Sequence, residues 1–73
     1  MKEYDAKNVC EDDVQCLSES PKALLMLIAG REHWVPKSQV HDDSEVYKRG
    51  DRGKLVMSKW IATERGLWER EED

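Results

Sequence analysis

Seven consecutive apolar residues, Ala23-Leu24-Leu25-Met26-Leu27-Ile28-Ala29, are boxed in, with Pro21 two positions before them and Gly30 directly after. Proline fixes φ and lacks an N–H donor, and glycine readily takes positive φ, so both punctuate regular structure. The box has the length of an ordinary strand, or of about two helical turns. Ala and Leu are good helix formers, but so short a window favours a strand over Lys22 to Ala29. Its period of two sorts the run into two rows, Leu24, Met26 and Ile28 against Ala23, Leu25, Leu27 and Ala29. Both rows are apolar, and a strand apolar on both faces calls for cover on both. This predicts a central strand with a helix or second layer behind it.

The other elements follow from punctuation. Val14 to Ser18 reads as a first strand, ended by Ser20-Pro21. Glu32 to Val40 reads as a strand in hairpin with the boxed run across Gly30-Arg31, and Pro36 marks it as an edge strand or a bulge. Residues 41–53 read as a polar loop closed by Gly50 and Gly53, followed by a short strand, Lys54 to Met57. Ser58 is a natural N-cap for a two-turn helix from Lys59 to Arg65, with Gly66 and Leu67 suited to a Schellman ending. The fold class expected is α+β: a three- or four-stranded antiparallel meander, with a barrel-like curl as one form, and one short C-terminal helix. Residues 1–13 read as a polar, loosely held segment, 14–68 as one small domain, and 69–73 as an acidic tail.

A chain of 73 residues and 8.5 kDa supports one small core and leaves no room for a second domain or a large catalytic cleft. Leu25, Leu27, Trp34, Leu55, Trp60 and Ile61 are the expected core, since a domain this small can hardly forgo two tryptophans. On that reading Trp60→Ala costs about 3–5 kcal/mol. The apolar run is far short of the ~20 residues that span a membrane. The start, Met1-Lys2-Glu3-Tyr4-Asp5, has no export signal, so a cytoplasmic location with Cys10 and Cys16 reduced is expected.

From Lys22 to Leu67 the chain resembles a family of small uncharacterised bacteriophage and prophage proteins. The residues carrying the resemblance are Lys22-Ala23-Leu24-Leu25, Gly30, Glu32-His33-Trp34-Val35-Pro36-Lys37-Ser38-Gln39-Val40, Gly50-Asp51, Gly53, Lys59-Trp60-Ile61-Ala62 and Gly66-Leu67. The phrase His-Trp-Val-Pro-Lys-Ser-Gln-Val is its most specific part. The resemblance implies a small antiparallel sheet with a C-terminal helix in a phage setting, inside a bacterial host cytoplasm. It brings no catalytic motif, and residues 1–20 lie outside it.

Chemistry-bearing residues are few. Cys10 and Cys16 are five residues apart in between, and His33 and His41 are eight apart; neither matches zinc-ligand spacing, and Asp42 and Asp43 do not complete a set. No metal or cofactor is expected. Ser38 lies near His41 but lacks a nucleophile elbow, and Gly50-Asp51-Arg52-Gly53 lacks the Lys-Ser/Thr ending of a phosphate loop. No enzymatic activity is expected.

Charge offers two surfaces. Residues 1–20 carry two basic and six acidic side chains, residues 21–68 nine and six, and the tail one and four, for a net charge of −4. Glu11, Asp12 and Asp13 form the densest acidic run outside the tail, with Tyr4 and Trp68 as candidate anchors for a basic protein partner. The function expected is a non-enzymatic phage accessory protein that binds and inhibits a host protein complex, nucleic-acid-binding in kind, as an anti-CRISPR-type anti-defence inhibitor does. The alternative is a nucleic-acid-binding or replication-accessory module using Tyr47, Lys48, Arg49, Arg52, Lys54 and Lys59.

Overall fold

A computed structural model describes residues 1–68; the acidic tail 69–73 lies outside the described residues. Five strands and a helix follow in chain order: β1 (Lys2–Glu3), β2 (Asn8–Glu19), β3 (Ala23–Ile28), β4 (Arg31–Pro36), a 3-10 turn (Lys37–Gln39), β5 (Arg52–Ser58) and α1 (Lys59–Glu64). Every strand pair is antiparallel. The strands β1 to β4 run as sequential neighbours, but β5 returns to pair with β2. The sheet is therefore five-stranded, not a simple meander, and it stays open rather than closing into a barrel.

The second strand organises the rest. It begins at Asn8, so half of the segment read as loosely held belongs to the sheet, and Lys2–Glu3 pairs with it as well. One edge of β2 carries β5 along Asn8 to Gln15, and the other carries β1 at Val9–Cys10 and β3 from Gln15 to Glu19. Twelve residues at ~3.3 Å each account for the molecule's 39 Å long axis. Such a strand keeps its apolar residues on one side only with a correction of phase. Between Glu11↔Leu55 and Val14↔Gly53 two residues, Asp12 and Asp13, oppose Lys54 alone, and Asp13 takes a positive φ of 59°. This bulge restores Val14 and Cys16 to the face that Val9 already occupies, and all three are buried.

The core lies on that face. From β3 it takes Leu24, Met26 and Ile28; Leu55 and Met57 join from β5, and Ile61 and Ala62 from α1. The second row of β3, Ala23, Leu25 and Leu27, is only half-buried. The layer behind β3 that its two apolar rows predict covers one face alone. The two tryptophans expected in the core are outside it: Trp34 is 45% exposed and Trp60 62%. Register explains Trp34, which pairs with Leu25 on the open face, while its neighbours Val35 and His33 pair with Leu24 and Met26. Trp60 lies one position before Ile61 on a helix too short to bury two sides.

The helix begins and ends as its sequence indicates. The Ser58 hydroxyl accepts from the Ile61 amide at 3.2 Å and donates to Gln39 Oε1 at 2.6 Å. At the other end, Leu67 N–H donates to the Ala62 carbonyl and Gly66 N–H to that of Thr63, with Gly66 at φ 71°, a Schellman ending. The segment read as a polar loop is a cover for the outer edge of β5. His41 and Glu45 amides donate to the Val56 and Lys54 carbonyls, and the Ser44 hydroxyl both donates to and accepts from Val56. Val46 is drawn into the core. Those bonds satisfy edge groups that would otherwise offer a template for another strand.

Candidate functional site

The open face of the sheet is built by register. Directly opposed residues of an antiparallel pair share a face, so Trp34 stands beside Leu25, Glu32 beside Leu27, and Pro36 beside Ala23. On the other flank of β3, Ser18 opposes Leu25 and Gln15 opposes Leu27, and Gln15 is in turn opposed by Arg52. The centre of this face is apolar: Leu25, Leu27 and the exposed ring of Trp34. Neither α1 nor the 40–47 segment lies over it; both are on the core side or at the edge of β5.

The face runs into a concavity of about 410 Å³ lined by Glu11, Asp12, Asp13, Gln15, Leu27, Ala29, Gly30 and Arg52. Leu27 thus belongs both to the apolar centre and to an acidic margin. Asp13 and Arg52, taken from the two rival sequence surfaces, meet there in a two-pronged pair with Nε at 2.8 Å and Nη2 at 3.1 Å. The Arg52 hydrogen bond, and then its charge, hold the Asp13 carboxyl below the ordinary carboxylate range. Glu11 lies 3.2 Å from the Met1 amino group, and Asp12 is 3.8 Å from Lys2 Nζ. The side chains of Asp12 and Asp13 are about 70% exposed. The acidic run is therefore a surface feature next to the open face, as its sequence suggests for Asp12 and Asp13, whereas Glu11 is half-buried.

The anchors read from the sequence have other roles. Trp68 is half-buried against the core, with Lys59 Nζ 5.8 Å from its ring. Tyr4 donates its hydroxyl to Asp43, stacks tilted on His41 at 5.8 Å and carries Lys54 Nζ 5.8 Å above its ring. That bond to a carboxylate raises the Tyr4 phenol's pKa. Of the residues expected in the core, exposed Trp34 and half-buried Leu25 and Leu27 come together on this open face, while Trp60 is exposed on α1. The available signal was that β3 is apolar in both rows while Pro36 marks its neighbour as an edge.

The basic stretch does not form one groove. Arg52 is paired with Asp13, Lys54 sits over Tyr4, and Lys59 pairs with Glu3. Lys48 and Arg49 occupy an exposed turn that Asp51 ties together, its carboxylate accepting from the Tyr47 and Lys48 amides at 3.0 and 3.1 Å. The Tyr47 hydroxyl turns to the His41 and Asp42 carbonyls. Ser38 and His41 line a polar hollow with Asn8, Gln39, Val40, Asp42 and Ser58, but His41 Nδ1 accepts from the Asp43 amide at 3.0 Å. Among the described residues, no three His, Cys, Asp or Glu side chains converge into a metal-holding group. Cys16 is in the core, where burial pushes its thiol pKa up, and Cys10 is on the opposite face of β2; both are free. His33 faces the core side of β4 with Nε2 buried and unpartnered among the described residues. None of the described helices is long and apolar enough to cross a membrane. Comparison with protein-family models, with curated proteins and with solved structures finds no match.

Proposed function

We propose that this chain is a non-enzymatic binding module whose open sheet face engages another protein, and that it acts by occupying and inhibiting that partner. One observation carries the reading: β3 brings a second apolar row, Leu25 and Leu27, to a face that also displays Trp34 and has no covering layer among the described residues. A small domain that leaves a contiguous apolar centre in water forgoes burial worth roughly 25 cal/mol per Å². An aromatic flanked by aliphatic residues inside a polar margin is the composition of an interface centre. The resemblance to small phage proteins supports the finer version, in which the partner is a nucleic-acid-binding host complex of the defence type.

Among the described residues the nucleic-acid reading keeps Lys48 and Arg49 as the unengaged basic groups of its six-residue set, because Arg52, Lys54 and Lys59 are occupied by Asp13, Tyr4 and Glu3. The test compares Leu25→Ala and Trp34→Ala with the parent chain in size-exclusion binding to purified bacterial nucleic-acid-binding complexes. Co-elution at fixed stoichiometry, lost in both variants at unchanged Tm, is the result expected. Co-elution that both variants retain refutes the face as the interface. DNA binding by the chain alone, steep in salt and lost on Lys48→Ala with Arg49→Ala, would favour the alternative.

A further inference from the structure

We infer that the outer edge of β4 takes an extended, acidic peptide segment of another protein as a sixth strand. The inference goes beyond the open-face reading and does not depend on it. Its basis is which main-chain groups the sheet leaves unpaired. Both edges of β2 carry other strands, β3 lies between β2 and β4, and the 41–45 segment bonds along the outer edge of β5. The remaining long strand is β4, and among the described residues neither a strand nor a covering segment runs along its outer edge. A two-residue turn closes on a hydrogen-bonded pair, here Ile28↔Arg31. The main-chain groups of Arg31, His33 and Val35 therefore point to β3, and those of Glu32, Trp34 and Pro36 point outward. Arg65 agrees with that alternation, since its Nε donates from outside to the Trp34 carbonyl at 3.0 Å. Pro36, which has no N–H, falls at an outward position, where it costs the β3–β4 ladder nothing. Glu32 N–H, Glu32 C=O and Trp34 N–H are left without a main-chain partner among the described residues.

Charge selects the occupant. Arg31 and His33 share the core-side row of β4, and Arg65 reaches the strand from the end of α1. Neither arginine forms an ion pair among the described residues, unlike Lys2, Lys37, Arg52 and Lys59. After burial, the charges of Arg31 and Arg65 hold the His33 pKa down, which sets both cations near the middle of the strand. The carboxylate of β4 itself, Glu32, is on the opposite row, beside Leu27. Side chains of a guest strand alternate between the same two rows. Carboxylates on its core-side row meet Arg31 and Arg65, and uncharged side chains on its other row sit beside Glu32 and Trp34. A second copy paired by a two-fold axis along β4 would bring two Arg31 and two Arg65 side chains to one seam. A nucleic acid supplies anions but no alternating main-chain donors and acceptors to match the edge.

The test uses the full chain and three probes: a capped peptide alternating Glu with Val and Thr, its Lys counterpart and a short DNA duplex. The Glu peptide should bind at least about tenfold more tightly than the Lys peptide, and the duplex should not displace it. On binding, the Glu32 and Trp34 amides should gain protection from hydrogen exchange, while those of His33 and Val35, already bonded to β3, change little. Arg31→Gln with Arg65→Gln should weaken the Glu peptide about tenfold or more and flatten its salt dependence. Trp34→Ala, which removes a ring of the open face, should leave the alternating protection in place. Equal binding of the two peptides, binding without protection of Glu32 and Trp34, or no binding of either overturns the inference. Displacement of the Glu peptide by the duplex overturns it in favour of a polyanion site. A concentration-dependent dimer that protects the same two amides overturns it in favour of a second copy. Binding that needs Glu69→Gln, Glu71→Gln, Glu72→Gln and Asp73→Asn together assigns the edge to the chain's own acidic end and overturns it as well.

Discussion

Gly53 and His33 are each held in a position that allows few alternatives. Gly53 sits at φ 154°, and a Cβ there would come within 3.0 Å of Glu45 Oε1 and 3.1 Å of Glu45 Cβ. The same Glu45 oxygen accepts from the Lys54 amide at 2.8 Å, so moving that side chain away would sacrifice an edge bond of β5. Gly53→Ala should therefore destabilise by about 1–3 kcal/mol, read as a lower urea midpoint at unchanged m-value. His33 titrates below its ordinary value because it is buried, with Arg31 and Arg65 opposing its charge as well. A depressed base favours folding when neutral: the unfolded chain binds the proton more readily, so stability rises with pH across the window. Stability should be full above about pH 6.5, the ordinary histidine value, and decline as the pH falls through it toward the lower folded value. His33→Gln should flatten that decline in Tm measured from pH 7.5 to 5, and an unchanged profile would exclude His33 as its source.

The helix and the β3–β4 turn show how little holds the smaller pieces. The helix α1 is six residues long, too short to persist without its caps and the burial of Ile61 and Ala62. Ser58 supplies the N-cap and also holds Gln39 of the 3-10 turn. Ser58→Ala should cost about 1–2 kcal/mol, with helix amides 60–64 exchanging faster with solvent while those of β3 keep their protection. The hairpin of β3 and β4 turns through Ala29 and Gly30 at φ 51° and 80°, one residue earlier than Gly30-Arg31. Alanine in that left-handed position carries a cost of about 1–2 kcal/mol, and it lines the concavity beside Leu27.

Across the whole molecule the radius of gyration is 11.2 Å, about the value for a compact chain of this length. Core and surface can then be separated by two substitutions. Met57→Ala, at a site with no exposure, should cost about 2–5 kcal/mol. Trp60→Ala should stay within about 0.5 kcal/mol, since that ring is mostly in water. Thermal denaturation checks both, and a Trp60→Ala loss as large as that of Met57→Ala would place the ring in the core after all.

The local signals were legible in the residues because each depends on neighbours in sequence. Pro21 and Gly30 bracket β3, Ser58 caps α1, and Gly66 and Leu67 end it. All of these act within a turn or two of the chain, so composition and spacing suffice. Pro36, read as an interruption within a strand reaching Val40, instead ends β4, and a 3-10 turn follows over Lys37–Gln39. What the residues could not settle was which of two apolar rows of β3 turns inward. Ala23, Leu25 and Leu27 are nearly as hydrophobic as Leu24, Met26 and Ile28, and only pairing with Val35 and the Val14–Cys16 end of β2 decides between them. That decision sends Trp34 out with Leu25 and makes the candidate site. The return of β5 to β2 was equally hidden, because it joins residues 37 to 50 positions apart through a bulge at Asp12–Asp13 whose acidic sequence reads locally as loop. Side-chain face and long-range register are properties of partners, and partners are chosen only when the whole core closes.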